Sequence, residues 1–164
     1  MDLTSYTLEQ LLLAAIKSEE ESNQVYSKLA DHVQNGLMKD KFQFLAGEEQ
    51  KHKQYISDLY KSEFPDKRLQ LPDETPVPLP GVSIPADEDI SISKVLAQAM
   101  DAEKAAHDFY LGLSERYDDP MVKNMLHYFA DMETGHYRIL EQEKNSVEWF
   151  EQSDVYWPMI HAGP

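Results

Sequence analysis

Cysteine does not occur anywhere in the 164-residue chain. Its absence excludes disulfides, iron–sulfur clusters, thiolate zinc sites and a cysteine nucleophile. Any bound metal has to be held by oxygen and imidazole. Basic residues are scarce: 15 lysines and arginines against 30 aspartates and glutamates leave a formal charge of −15. Such a surface repels phosphate backbones, and no long basic stripe compensates, so no nucleic-acid partner is expected. Long apolar runs are also missing. The longest, Leu11 to Ile16, is far too short for a bilayer, and Met1-Asp2-Leu3-Thr4 lacks the basic start of a signal peptide. A cytoplasmic protein with no membrane partner is the expectation. Apolar residues at 41 % still suffice for a single domain over 1–164 with a sizeable core.

Pattern and punctuation predict four helices, at 7–33, 37–61, 91–116 and 120–145. Thr7 and Gln10 can form a capping box, after which Leu8, Leu12, Ala15, Glu19, Tyr26 and Leu29 recur on one face. Asn35-Gly36 is expected to stop the first helix, because both residues tolerate a left-handed backbone. Phe42, Leu45, Glu49, His52, Ile56 and Leu59 share the inner face of the second. Six prolines between 64 and 88 (Pro65, Pro72, Pro76, Pro78, Pro80 and Pro85) forbid a helix there. That stretch reads as one long crossover connection. Ser91 opens the third helix, with Ile92, Val95, Ala99, Glu103, Tyr110 and Leu113 facing inward. Asp119-Pro120 caps the fourth, which carries Leu126, Phe129, Glu133, His136 and Leu140. Residues 146–164 hold both tryptophans and read as an irregular aromatic tail packed on the bundle.

The most informative pattern is a repeat. Glu49-Gln50-Lys51-His52 returns 84 residues later as Glu133-Thr134-Gly135-His136, and the same offset relates Glu19 to Glu103 and Tyr26 to Tyr110. Residues three apart on a helix share a face, so each Glu-x-x-His can address one ion. The lone glutamates stand at matching heights in the neighbouring helices. Their flanking positions are apolar, which puts the six groups inside the bundle. Four buried carboxylates without a lysine or arginine on the same faces would cost several kcal/mol each. They must take up protons or bind cations, and two divalent ions would balance four negative charges.

A glutamate from each of two helices and Glu-x-x-His from each of the other two is the ligand set of ferritin-like di-iron and di-manganese carboxylate proteins. Over residues 7–145 the chain resembles that superfamily, and within it the rubrerythrin-type proteins. The likeness rests on Ala15-Ile16-Lys17-Ser18-Glu19 with Tyr26, on Glu48-Glu49-Gln50-Lys51-His52, and on their counterparts around Glu103 and Glu133. It implies an all-α, ferritin-like antiparallel four-helix bundle holding two iron ions, for which manganese or zinc could substitute. Glu19 and Glu103 would each serve one ion, Glu49 and Glu133 would bridge both, and His52 and His136 would cap one each. The implied activity is that of a di-iron oxidoreductase or ferroxidase acting on O2 or H2O2 with an external electron donor. The alternative is an iron-binding or storage protein without turnover. A homodimer is the expected assembly. Two departures weaken a transfer of peroxidase activity. The extra glutamate of peroxidase rubrerythrins falls at Ala106 here, and their rubredoxin domain is missing. The symmetric six-ligand set is closer to the ferroxidase centre of bacterioferritins.

Three further residues have more than one reading. Tyr26 and Tyr110 either fill the core or bond a bridging carboxylate across the bundle. His107, four residues after Glu103 and matched in the repeat by Asn23, is a third histidine ligand, a proton donor, or an ordinary boundary histidine. Tyr156 and His161 would approach the centre only if the tail folds over it.

Overall fold

A computed structural model describes residues 3–74, 77–82 and 92–160, with side chains through Trp149. Four helices account for most of it: α1 (Leu8–His32), α2 (Gly36–Glu63), α3 (Ile92–Ser114) and α4 (Pro120–Ile160). Their starts are chemically marked. Thr7 Oγ1 accepts from the Gln10 backbone N–H at 3.2 Å while Gln10 Oε1 accepts from the Thr7 N–H at 2.9 Å, a reciprocal capping box. Asp119 Oδ1 accepts from the Met121 N–H at 2.8 Å, with Pro120 in the first turn of α4.

Two sequence expectations need correction. Asn35-Gly36 does not end α1 through a left-handed residue, since no described residue has positive φ. α1 closes at Val33, and Asn35 caps α2 by accepting from the Met38 N–H. An amide that tolerates a turn is equally a good N-cap, and the next helix claimed it. The irregular tail from 146 is also wrong in its first part: α4 continues to Ile160. No glycine or proline interrupts Asn145 to Trp157, and Lys144 pairs with Glu148 one turn on at 2.6 Å. Ser91, His161 and the Tyr156 side chain lie outside the described residues. No helix among those described is long and apolar enough to cross a membrane.

α1 packs along α2, and α3 along α4. α1 and α3 run antiparallel, because Tyr26 meets Glu103 while Tyr110 meets Glu19. α2 and α3 therefore point the same way. The described parts of 64–88 form no helix. Leu69, Leu71, Val77 and Leu79 pack at one end of the bundle and Val82 at the other. Residues 75, 76 and 83–88 lie outside the described set.

The core comes in two apolar blocks. One gathers Leu11, Leu12, Ile16, Ile56, Phe109, Leu113, Leu126 and Phe129; the other Val25, Leu29, Phe42, Leu45, Val95, Leu96 and Leu140. Each helix contributes to both blocks, and each has its carboxylates between its two contributions. The apolar blocks thus enclose a polar layer at mid-height, and burying that much apolar area, at about 25 cal/mol per Å2, is what can offset desolvating it.

Candidate metal centre

Six charged or ionisable side chains form that layer. Glu19, Glu49, His52, Glu103, Glu133 and His136 are each at most 4 % exposed. Helical register explains the placement. Glu49 and His52 rise on one face of α2, and Glu133 and His136 on one face of α4. Glu19 and Glu103 come from the partner helix of each hairpin.

The geometry repeats the two-fold logic of the sequence. His52 Nδ1 lies 3.1 Å from Glu133 Oε1, 3.3 Å from Glu49 Oε2 and 3.6 Å from Glu19 Oε2. His136 Nδ1 lies 3.0 Å from Glu49 Oε1, 3.0 Å from Glu133 Oε2 and 3.6 Å from Glu103 Oε2. Two overlapping groups result, Glu19–Glu49–His52–Glu133 and Glu49–Glu103–Glu133–His136, each with its donor atoms within 4.8 Å of one another. Glu49 and Glu133 belong to both. The imidazoles stack with centroids 5.7 Å apart, and Phe129 packs on the His52 ring at 4.3 Å.

This donor set fits cations better than it fits itself. Glu49 Oε1, Glu133 Oε1, both nitrogens of His52 and His136 Nε2 are buried without a hydrogen-bond partner. Several sit at ion-pair distance from one another yet are not aligned for a bond. Such atoms converge on shared points rather than pairing off. Orphaned buried polar groups cost about 1–3 kcal/mol each, a penalty that coordination would remove.

Taken by itself, the layer balances its charge with protons. Burial, then the Glu49 charge, pushes the Glu19 and Glu103 carboxyls well above the usual range. Burial also works to raise Glu49 and Glu133. For Glu49, the nearby His136 and His52 imidazoles, at 3.0 and 3.3 Å, outweigh it; for Glu133, which the Glu49 charge raises further, the same two histidines also prevail. Both end below their ordinary value. Burial opposes the imidazolium of His52, but Glu133, Glu19 and Glu49 overcome it and push His52 up to about 12. His136 is driven in the same direction, burial again being overcome by Glu103, Glu133 and Glu49. Two imidazolium charges therefore face two ionised carboxylates.

Tyr26 and Tyr110 are 1 % exposed, and their hydroxyls do bond carboxylates across the bundle. Their partners differ from expectation. Tyr26 donates to Glu103 and Tyr110 to Glu19, not to the shared Glu49 and Glu133. Each tyrosine thus orients the lone glutamate of the opposite hairpin. Replacing either by phenylalanine keeps the packing and removes one donor. The expected result is metal affinity lower by about 10–100-fold, the usual effect of losing such an outer partner, with the fold intact. Competition titration against a chelator checks this, and unchanged affinity would reduce the tyrosines to packing residues.

His107 is not part of either group. It is part-exposed, and its Nδ1 lies 3.0 Å from Asp108 on its own helix, so the ligand reading is not supported. It lines a cleft of about 390 Å3 together with Glu103, Lys104, Asp108, Glu133, Thr134 and Tyr137. Nothing in the helical pattern signalled that cleft, because it depends on how α3 seats against α4.

Comparison with known proteins agrees with this geometry. The rubrerythrin family model matches residues 10–144. A solved structure from Pyrococcus furiosus, described as a hypothetical protein, superposes with a TM-score of 0.81 at 32% sequence identity, covering 91% of this chain and 95% of that one. No curated relative matches. With four helices, a buried glutamate–histidine cluster that fits a di-metal site, and a family match across most of its length, the chain belongs to the rubrerythrin family.

Proposed function

We propose that the protein is a di-iron carboxylate oxidoreductase of the ferroxidase type, reacting with O2 or H2O2. One observation carries this reading: two four-residue donor groups share Glu49 and Glu133. Glu19 and His52 would hold one ion and Glu103 and His136 the other, with Glu49 and Glu133 available to both. When bound, two iron ions supply a two-electron couple for reducing a small oxidant.

The chain's own residues supply position, charge and dryness. Four carboxylates offset the charge of two divalent ions, so the loaded layer is neutral in a low-dielectric core. Tyr26 and Tyr110 hold Glu103 and Glu19 by hydrogen bonds from opposite hairpins. Phe129 and the aliphatic blocks above and below exclude bulk water. Repeated turnover needs an external electron donor to return the oxidised ions to Fe(II).

Anaerobic loading with Fe(II) followed by stopped-flow mixing with O2 or H2O2 tests the proposal. Oxidation well ahead of free Fe(II), at two ions per chain, is the expected outcome. Oxidation no faster than free Fe(II) would sink the catalytic reading and leave iron binding alone.

A further inference from the structure

The sequence repeat makes the two hairpins near equivalents, but their seams are not alike. On the α1/α2 side, Asn23 Nδ2 donates to Ala46 O at 2.6 Å, and Lys53 lies 3.6 Å from Glu20. Both links cross from one helix to the other beside Glu19 and Glu49. Each position has a counterpart 84 residues on: His107 for Asn23, Lys104 for Glu20, Tyr137 for Lys53. There the side chains are arranged differently. His107 turns along its own helix to Asp108, and the cleft of about 390 Å3 opens between the helices. Glu103 and Glu133 are among its lining residues; both are buried, at 3 % and 1 % exposed, and Glu133 Oε1 is one of the unpartnered buried atoms. The most exposed acidic and imidazole side chains on its lining are Asp108 and His107, at 53% and 32%.

We propose that divalent cations reach the buried cluster through the α3/α4 cleft, with Asp108 and His107 the first groups they meet. A hydrated cation cannot cross the two apolar blocks without losing its water to nothing. The cleft is instead lined by the Asp108 carboxylate, the His107 imidazole and two of the cluster's own glutamates, Glu103 and Glu133, which together outweigh the single Lys104 ammonium, so ligands can replace water stepwise. The seam on the other side is already crossed by protein–protein bonds. The nearly symmetric centre would then be filled from one face, the ion held by Glu19 and His52 having passed the shared glutamates. This rests on the di-metal reading above.

The test is the rate of Co(II) uptake by the metal-depleted full chain, followed by stopped-flow visible absorption. Asp108→Lys and Glu20→Lys change the net charge equally, but on opposite seams. Asp108→Lys is expected to slow uptake about tenfold at low salt, the lower end of electrostatic steering, while Glu20→Lys leaves it within about twofold. High salt should shrink that difference. Thr134→Phe, which fills the cleft, should slow uptake at any salt without changing the final two ions per chain. Circular dichroism checks folding, and if Thr134→Phe does not fold the two exposed lysine variants decide alone. Equal slowing by both, or by neither, overturns the route. Wild type binding fewer than two ions overturns the di-metal reading instead, so the two failures are distinguishable.

Discussion

Glu49→Gln is expected to empty both metal positions at once, whereas Glu19→Gln empties one. Glu49 belongs to both donor groups and Glu19 to one. Losing a direct carboxylate ligand should exceed the roughly 10–100-fold that an outer partner costs. It also leaves each remaining group short of negative charge against a divalent ion. Glu133→Gln should behave as Glu49→Gln does, and Glu103→Gln as Glu19→Gln, because the repeat makes them equivalent. Elemental analysis of each purified variant gives the ions per chain directly. Equal losses from all four would mean that the shared pair has no special place, and the two-position reading would fall. The amide is nearly isosteric, so circular dichroism should show the helices preserved.

The second large effect is a reversal of pH dependence on metal removal. In the metal-depleted protein, Glu19 and Glu103 hold protons that the unfolded chain releases above about pH 4.5. His52 and His136 hold protons that the unfolded chain releases above about pH 6.5. A group whose value is raised by folding contributes its stability below the unfolded value and loses it as pH climbs toward the folded one. Stability should therefore fall as pH rises from 5, and faster once the histidines join above 6.5. Each proton held only by the folded state contributes about 1.4 kcal/mol per pH unit. Glu49 and Glu133 act oppositely: being lowered, they lose stability as pH drops below their unfolded value. The loaded protein holds carboxylates ionised and imidazoles neutral, so its stability should rise with pH up to about 6.5 and then level off. Melting curves at pH 5 and pH 8, with chelator and with two equivalents of Mn(II), measure the contrast. Parallel curves would contradict it. Loading at neutral pH should also release about four protons per chain, two from carboxyls and two from imidazoliums.

Much of the centre was legible because its information is local. A three-residue spacing puts Glu49 and His52 on one helical face whatever the rest of the chain does. The 84-residue offset then announces a second copy at Glu133 and His136. Thr7 with Gln10 and Asp119 with Pro120 fix helix starts through bonds that span at most three residues. Asn35 is ambiguous in the sequence because the same side chain suits a helix end and a helix start, and only the neighbouring segment chooses between them. The extension of α4 past 145 runs through an aromatic stretch whose composition suggests irregularity, yet no helix breaker stands between Asn145 and Trp157.

The sequence by itself determined the four helices, the inward faces, the six residues of the polar layer and their need for positive charge. Helical periodicity and charge counting suffice for those, and neither requires knowing how helices meet. Tertiary structure alone decided which tyrosine serves which glutamate. Tyr26 lies seven residues from Glu19, about 10.5 Å along α1 at 1.5 Å per residue, too far to bond it. Its hydroxyl finds Glu103 only because α3 runs antiparallel alongside. Packing also left His107 outside the cluster and opened a cleft on one seam while bonds crossed the other. A contact between helices depends on crossing geometry and side-chain volume summed over a whole interface, and a repeat in the sequence does not carry that sum.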